Sequence, residues 1–281
     1  MPKVKAVLLD FDGTLSTLRA GWEKVMKPFM MEEIRGGRQL TEQEEAELER
    51  EVDEYIDRST GVQTIFQMSW LEDTVRGKGW NRIVRDAWEY KAEYNRRLLE
   101  QVHLKTTLLA QGSADPETYL IRGAARFVRE LHRRGVELYL ASGTDHADVV
   151  REAEALGLAP YFRTIAGAPA GRADCSKEKV LKELLTAGGF QGRELAVIGD
   201  GKVEIRLGKE AGALALGLAS DEERRKGINP AKVRRLTEAG ADWIAGDFGE
   251  LDAWLARLGL AEPQAERRPI LREAEEGGAG G

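Results

Sequence analysis

Residues 10 to 13 read Asp-Phe-Asp-Gly, at the end of the short apolar run Ala6-Val7-Leu8-Leu9. Side chains two apart on an extended chain project to the same side, so Asp10 and Asp12 would enter one space. Gly13 permits the sharp turn that must follow. Two carboxylates at that separation repel unless a proton or a cation stands between them. The pair therefore suits a nucleophile, a general acid and a divalent ion working together. The plainer reading is an Asp-Gly loop that merely closes a strand.

Three later segments carry compatible chemistry. Ser142-Gly143-Thr144 offers a hydroxyl and a run of backbone N–H groups entering a helix, a natural seat for phosphate, or else only a helix cap. Lys177 opens another helix, where its charge could reach a phosphate or simply sit in solvent. Gly199-Asp200-Gly201-Lys202-Val203-Glu204 places two acids four apart. Asp200 could ligate magnesium directly, and Glu204 could orient water beside the ion. A glycine turn with a glutamate favoured by the helix dipole is the alternative. Each segment is ambiguous alone, but all four recur in order at strand ends or helix starts.

The elements that would position them follow from apolar patterning. Four runs, 6–9, 136–141, 195–198 and 214–219, are nearly continuous in apolar residues, as strands covered on both faces are. Helical patterns at 124–134, 145–156, 177–187 and 205–211 alternate with them, most ending near a glycine. The alternation predicts an α/β fold with a Rossmann-like, doubly wound parallel sheet. Ligands in such sheets bind beyond the carboxyl ends of the strands, where Asp10, Ser142 and Asp200 fall. Residues 16–115 differ. They hold charged helical patterns at 41–56 and 80–102 and no strand signal, which predicts an inserted all-helical cap. Asp115-Pro116 reads as a helix cap with proline at the first position, restarting the sheet domain. The expected organisation is a core of 1–15 and 116–261, a cap of 16–115, and a disordered tail over 262–281.

Composition narrows the function. The 281 residues carry a net charge of −6 and no concentrated basic stripe, which argues against nucleic acid as a partner. No apolar run is long enough for a membrane span, and the N-terminal run meets Asp10 too early for a secretory signal, so a cytoplasmic protein is expected. One cysteine, Cys175, and three scattered histidines exclude a disulfide within the chain and disfavour a zinc cluster. Hard oxygen donors without cysteine or nearby histidine favour Mg2+.

The order of these motifs resembles the haloacid dehalogenase superfamily, across residues 6–15 and about 118–255. The resemblance implies that Asp10 attacks phosphorus to form an aspartyl-phosphate, with Asp12 as acid and then base. It implies that Ser142, with Gly143, and Lys177 hold the phosphoryl group, and that Mg2+ lies between Asp10, the Asp12 backbone carbonyl and Asp200. Family spacing favours Lys177 over Lys179. Glu204 stands where aspartate is commoner, which leaves its direct ligation in doubt. The substrate implied is a small phosphorylated metabolite such as a sugar phosphate. A phosphomutase, a phosphonate hydrolase using Lys24, Lys27 or Lys78, and a non-catalytic binding module are the rivals. In the cap, Arg19 could reach the outer part of a substrate, against the simpler reading of a surface arginine. Trp22, Met26 and Phe29 recur at helical spacing, as do Ile83, Ala87 and Tyr90, which suggests a cap core. Gln63 and Gln67, beside Thr60, could read hydroxyls or be polar surface.

Overall fold

Ala6–Leu9 (β1) is wholly apolar and wholly buried, and it takes the centre of a six-stranded parallel sheet. The other strands are Glu137–Asp145 (β2), Thr164–Ala168 (β3), Leu195–Gly199 (β4), Leu214–Leu218 (β5) and Trp243–Ala245 (β6), in the spatial order β3-β2-β1-β4-β5-β6. β1 pairs in register with β2 on one side, Ala6 opposite Glu137, and with β4 on the other, Ala6 opposite Leu195. The structure is a computed structural model and describes residues 3–173, 176–186 and 188–261. Cys175 and the expected tail at 262–281 lie outside the described residues.

Alternation along β1 divides the core into two faces. Val7 and Leu9 enter a cluster with Phe127, Phe248 and Trp254, whereas Ala6 and Leu8 enter one with Val180, Leu181 and Leu184. The helices that cover these faces are Ala124–Arg133 (α5), His146–Ala155 (α6), Ser176–Thr186 (α7), Lys202–Glu210 (α8), Pro230–Glu238 (α9) and Leu251–Arg257 (α10). Helices on both faces make the sheet doubly wound.

Four helices intervene between β1 and α5: Trp22–Arg35 (α1), Glu42–Arg58 (α2), Thr64–Lys78 (α3) and Ala87–Ala110 (α4). They hold a separate apolar cluster that includes Met26, Phe29, Met30, Leu71, Tyr90 and Tyr94. Leu18 and Leu109 pack instead with the sheet's core, so the change of cluster falls between Leu18 and Met26 and again between Leu98 and Leu109. The two connecting segments run side by side, with Thr17 N donating to Tyr119 O and Ile121 N to Leu15 O. Asp115 caps Pro116–Tyr119 as expected, although this turn is a short 3-10 helix.

The expected helical stretch 80–102 begins later than its composition suggests. Asp86 and Glu89 form a capping box that starts α4 at Ala87, and residues 80–86 are not helical. Ile83 is consequently 70% exposed and belongs to no core, while Ala87 and Tyr90 are buried.

Phe127 stacks on Phe248 at 4.6 Å and leans on Trp254 at 5.2 Å, all three buried. Phe127→Ala should therefore cost about 3–5 kcal/mol of stability. Urea denaturation measures it, and a loss below about 1 kcal/mol would contradict this account of the core.

Candidate active site

Asp10 follows β1 directly, and its N–H donates to Ile198 O of β4 at 2.9 Å. The chain then turns at once. Phe11 O accepts from the N–H groups of Leu15 and Ser16, and Gly13 adopts φ +72°. No other residue suits that place, because a Cβ there would lie 2.5 Å from Asp200 Oδ2 and 2.9 Å from Glu222 Oε1. Ser220 Oγ donates to the Gly13 carbonyl at 2.5 Å and fixes the turn from β5's side.

The carboxylates that gather here are buried and share two lysines. Lys177 Nζ lies 2.8 Å from Asp10 Oδ1 and 3.0 Å from Glu204 Oε2, itself only 3% exposed. Lys232 Nζ lies 2.6 Å from Asp200 Oδ2, 2.7 Å from Glu222 Oε1 and 3.1 Å from Ser220 Oγ. Burial lifts the Asp10 carboxyl well above the usual carboxylate range, against the pull of Lys177. Asp200 goes the other way: burial opposes its charge, yet Lys232 and Arg235 hold it below the usual range. Burial also opposes the charge on Lys177, but Asp10 and Glu204 outweigh it and raise its pKa. Lys179, the alternative lysine, is exposed.

Asp12 is held by hydroxyls. Its Oδ2 accepts from Thr144 Oγ1 at 2.8 Å and Ser142 Oγ at 3.2 Å, while its buried Oδ1 has no partner among the described residues. One expectation needs correction here. The strand does not stop at Ser142 but continues to Asp145, and the helix begins only at His146. Thr144 N donates to Ser142 Oγ at 3.0 Å, within the strand's last residues rather than at a helix start. Gly143 lines the pocket, and a Cβ on it would meet Val62 O at 3.4 Å.

The helical insertion closes over this end of the sheet. The pocket, about 100 Å³, is lined from the sheet side by Asp10, Asp12, Ser142, Lys177 and Asp200, and from the insertion by Trp22, Gly61, Gln67 and Tyr94. Arg19 is not a surface residue: it is 7% exposed, lines the pocket and pairs with Glu152 at 2.6 Å and Asp148 at 3.2 Å, both on α6. Gln63 and Gln67 are likewise buried, with Gln67 Nε2 donating to Ser59 Oγ at 3.1 Å. Lys91 Nζ and Asn95 Nδ2 of α4 both donate to the Asp145 carboxylate. Lys24, Lys27 and Lys78 make ion pairs with Glu223, Glu49 and Glu51 and are absent from the pocket wall.

Sequence patterning missed Glu222 and Lys232, and it gave the Thr144 hydroxyl no role on Asp12. Lys232 had a signal: Asn229 caps α9 through its Oδ1, Pro230 takes the first helical position, and Lys232 follows within the first turn. Glu222 lies in a charged loop with nothing to mark it.

Oxygens of Asp10, Asp200 and Glu204 lie within 4.8 Å of one another. The donor set is hard and buried, and burial's lift on Asp10 marks a shortage of positive charge that a divalent ion would supply. Asp10 and Asp200 fit such an ion. Both oxygens of Glu204 are already engaged, Oε2 by Lys177 and Oε1 by Gly201 N, so it suits support rather than ligation. Chemically, the site pairs one carboxylate beside a cation with a second carboxylate fixed by hydroxyls.

A family profile for haloacid dehalogenase-like hydrolases matches residues 4–212. Similar solved structures include one from Haemophilus somnus described as a predicted phosphoglycolate phosphatase, with TM-score 0.60 and 15% identity, covering 89% of this chain and 97% of that one. A β-phosphoglucomutase from Clostridium difficile gives TM-score 0.59 and 12% identity, covering 91% and 97%. A haloacid dehalogenase family hydrolase from Deinococcus radiodurans, solved with phosphate and sodium bound, gives 0.54 and 20%, covering 93% and 99%. No curated protein matches the sequence. The match over most of the chain, on a six-stranded parallel sheet with these acids at its strand ends, shows that the chain belongs to the haloacid dehalogenase-like hydrolases.

Proposed function

We propose that this protein is a Mg2+-dependent phosphatase that hydrolyses a small phosphorylated metabolite through an aspartyl-phosphate on Asp10. The observation that carries the reading is the unequal environment of the two aspartates. Asp10 sits 2.8 Å from the Lys177 ammonium at the strand tip. Asp12 is held off to one side by Ser142 and Thr144, with one oxygen left unpartnered.

In this reading Asp10 attacks phosphorus and the bond to the leaving oxygen breaks. Asp12 gives its proton to that oxygen, and its unpartnered Oδ1 is the atom available to do so. Lys177 and the Ser142 hydroxyl hold the phosphoryl oxygens as charge shifts among them. Water then enters, Asp12 takes its proton, and phosphate leaves with Asp10 restored. Asp10 and Asp200 would hold Mg2+, which would supply positive charge against the phosphoryl oxygens. Glu204 positions Lys177, and Lys232 positions Asp200.

The helical insertion, residues 16–115, is read as a cap that excludes water and selects the substrate. The contacts of Lys91 and Asn95 with Asp145 support a closed arrangement, since they tie α4 to the strand that carries Ser142.

Lys177→Met should lower kcat for para-nitrophenyl phosphate by about 10²–10³-fold, as loss of a preorganised charge does. Lys179→Met, at an exposed position, should stay close to wild type. Equal effects of the two changes would remove Lys177 from its role. Chelation with EDTA should abolish turnover, and added Mg2+ should restore it. Full activity in excess chelator would contradict the metal part of the reading.

A further inference from the structure

Arg19 reaches the pocket with its recognition edges already committed. Its Nε donates to both oxygens of Glu152, at 3.0 and 3.2 Å. Its Nη2 donates to Glu152 Oε1 at 2.6 Å and to Asp148 Oδ2 at 3.2 Å. A guanidinium reads a carboxylate or phosphate by offering two nitrogens along one edge. Both such edges include Nη2, whose two hydrogens are spent. Only Nη1 lacks a partner among the described residues, although the side chain is only 7% exposed and lines the pocket.

The charge of Arg19 is also compensated. Glu152 and Asp148 oppose it at contact, and Arg151 reaches Asp148 at 3.3 Å from the surface side. Two guanidinium groups thus face two carboxylates, and Asp12 adds a further negative charge that acts on Arg19. Burial opposes the Arg19 charge, but these acids outweigh it and keep the group cationic. What remains at the pocket wall is a pair of N–H donors without surplus positive charge.

Tyr94 stands near the same place. It comes from α4, is 3% exposed and lines the pocket, and its hydroxyl makes no hydrogen bond among the described residues. The charges that bear on that hydroxyl are those of Arg19, Glu23 and Asp12. Trp22 and Leu98 supply apolar wall beside it. A hydroxyl and an N–H pair that line one pocket without protein partners are both able to donate to oxygen atoms of a bound molecule.

We propose that the pocket takes a phosphomonoester of an uncharged, hydroxylated alcohol, with an alcohol or carbonyl oxygen held by Arg19 Nη1 and the Tyr94 hydroxyl, and that it turns away phosphorylated carboxylic acids. This rests on the phosphatase reading and narrows its substrate class. A second anion on the leaving group would find no free guanidinium edge, because Glu152 and Asp148 already hold both. A neutral oxygen meets two donors that otherwise have no partner.

The test compares sn-glycerol 1-phosphate with 3-phospho-D-glycerate, which share the configuration at the central carbon and differ only in a terminal carbinol or carboxylate, by phosphate release from the full chain with Mg2+. The expected kcat/KM favours the glycerol ester by about tenfold or more. Should neither be turned over, their inhibition constants against para-nitrophenyl phosphate are read by the same criterion. Glu152→Gln, which frees part of the guanidinium edge, should shrink the preference by at least about threefold. Asp148→Asn, nearer the surface, serves the same purpose if Glu152→Gln does not fold. A preference below tenfold, or one unchanged in both variants, overturns the inference alone. Failure to hydrolyse para-nitrophenyl phosphate, or any other phosphomonoester, overturns the phosphatase reading and this inference with it.

Discussion

Buried carboxylates around one strand end need positive charge, and much of this structure is arranged to supply it. Asp10, Asp200, Glu204 and Glu222 lie within reach of two ammonium groups, Lys177 and Lys232. Removing one partner from a buried ion pair leaves an uncompensated charge, which costs far more than the pair contributes. The lysines are therefore not optional additions to the site. They come from the first turns of α7 and α9, so those helices must dock where they do. Gly13 must remain a glycine, because Asp200 and Glu222 occupy the space a side chain would take. Gly199 is constrained in the same way, since a Cβ there would lie 2.2 Å from Glu204 Cγ.

The insertion answers to the same end of the sheet. Its residues 60–62 come down beside the site, so that a Cβ at Gly61 would lie 3.4 Å from Glu204 Oε2. Arg19 binds α6 through Glu152 and Asp148, and α4 binds Asp145 through Lys91 and Asn95. These polar ties join two apolar clusters that remain otherwise distinct. Polar ties of this kind can be exchanged for water at modest cost, whereas each apolar cluster cannot be opened without exposing its core.

What the sequence revealed and what it hid follow from the same physics. The central strands β1, β2, β4 and β5 are apolar because both faces are covered, so they were legible as runs. Thr164–Ala168 is short, rich in small residues and only half-buried at the sheet edge, and Trp243–Ala245 spans three half-buried residues. Neither produces an unbroken run of four or more apolar residues. The residues adjoining β1, β2 and β4 were legible because strand ends point to where ligands bind. The burial of Arg19 was not legible, because its partner Glu152 is 133 positions away and no local pattern encodes that pairing. The start of α4 was within reach: the Asp86 and Glu89 capping box outranks the aromatic and charged residues before it.

The central claim is that Asp10, and no other group, receives the phosphoryl. It is tested most directly by acid-quenching Asp12→Asn enzyme during turnover and mapping its peptides by mass spectrometry. With para-nitrophenyl phosphate, whose leaving group needs no proton, loss of the acid–base group slows water's attack more than the first step, so the acyl-phosphate should accumulate. The account predicts one added phosphoryl group on the peptide bearing Asp10, lost on treatment with hydroxylamine and absent when Asp10→Asn is introduced. A phosphoryl group on a different residue, or steady turnover of the wild-type enzyme with none trapped in either protein, would contradict it.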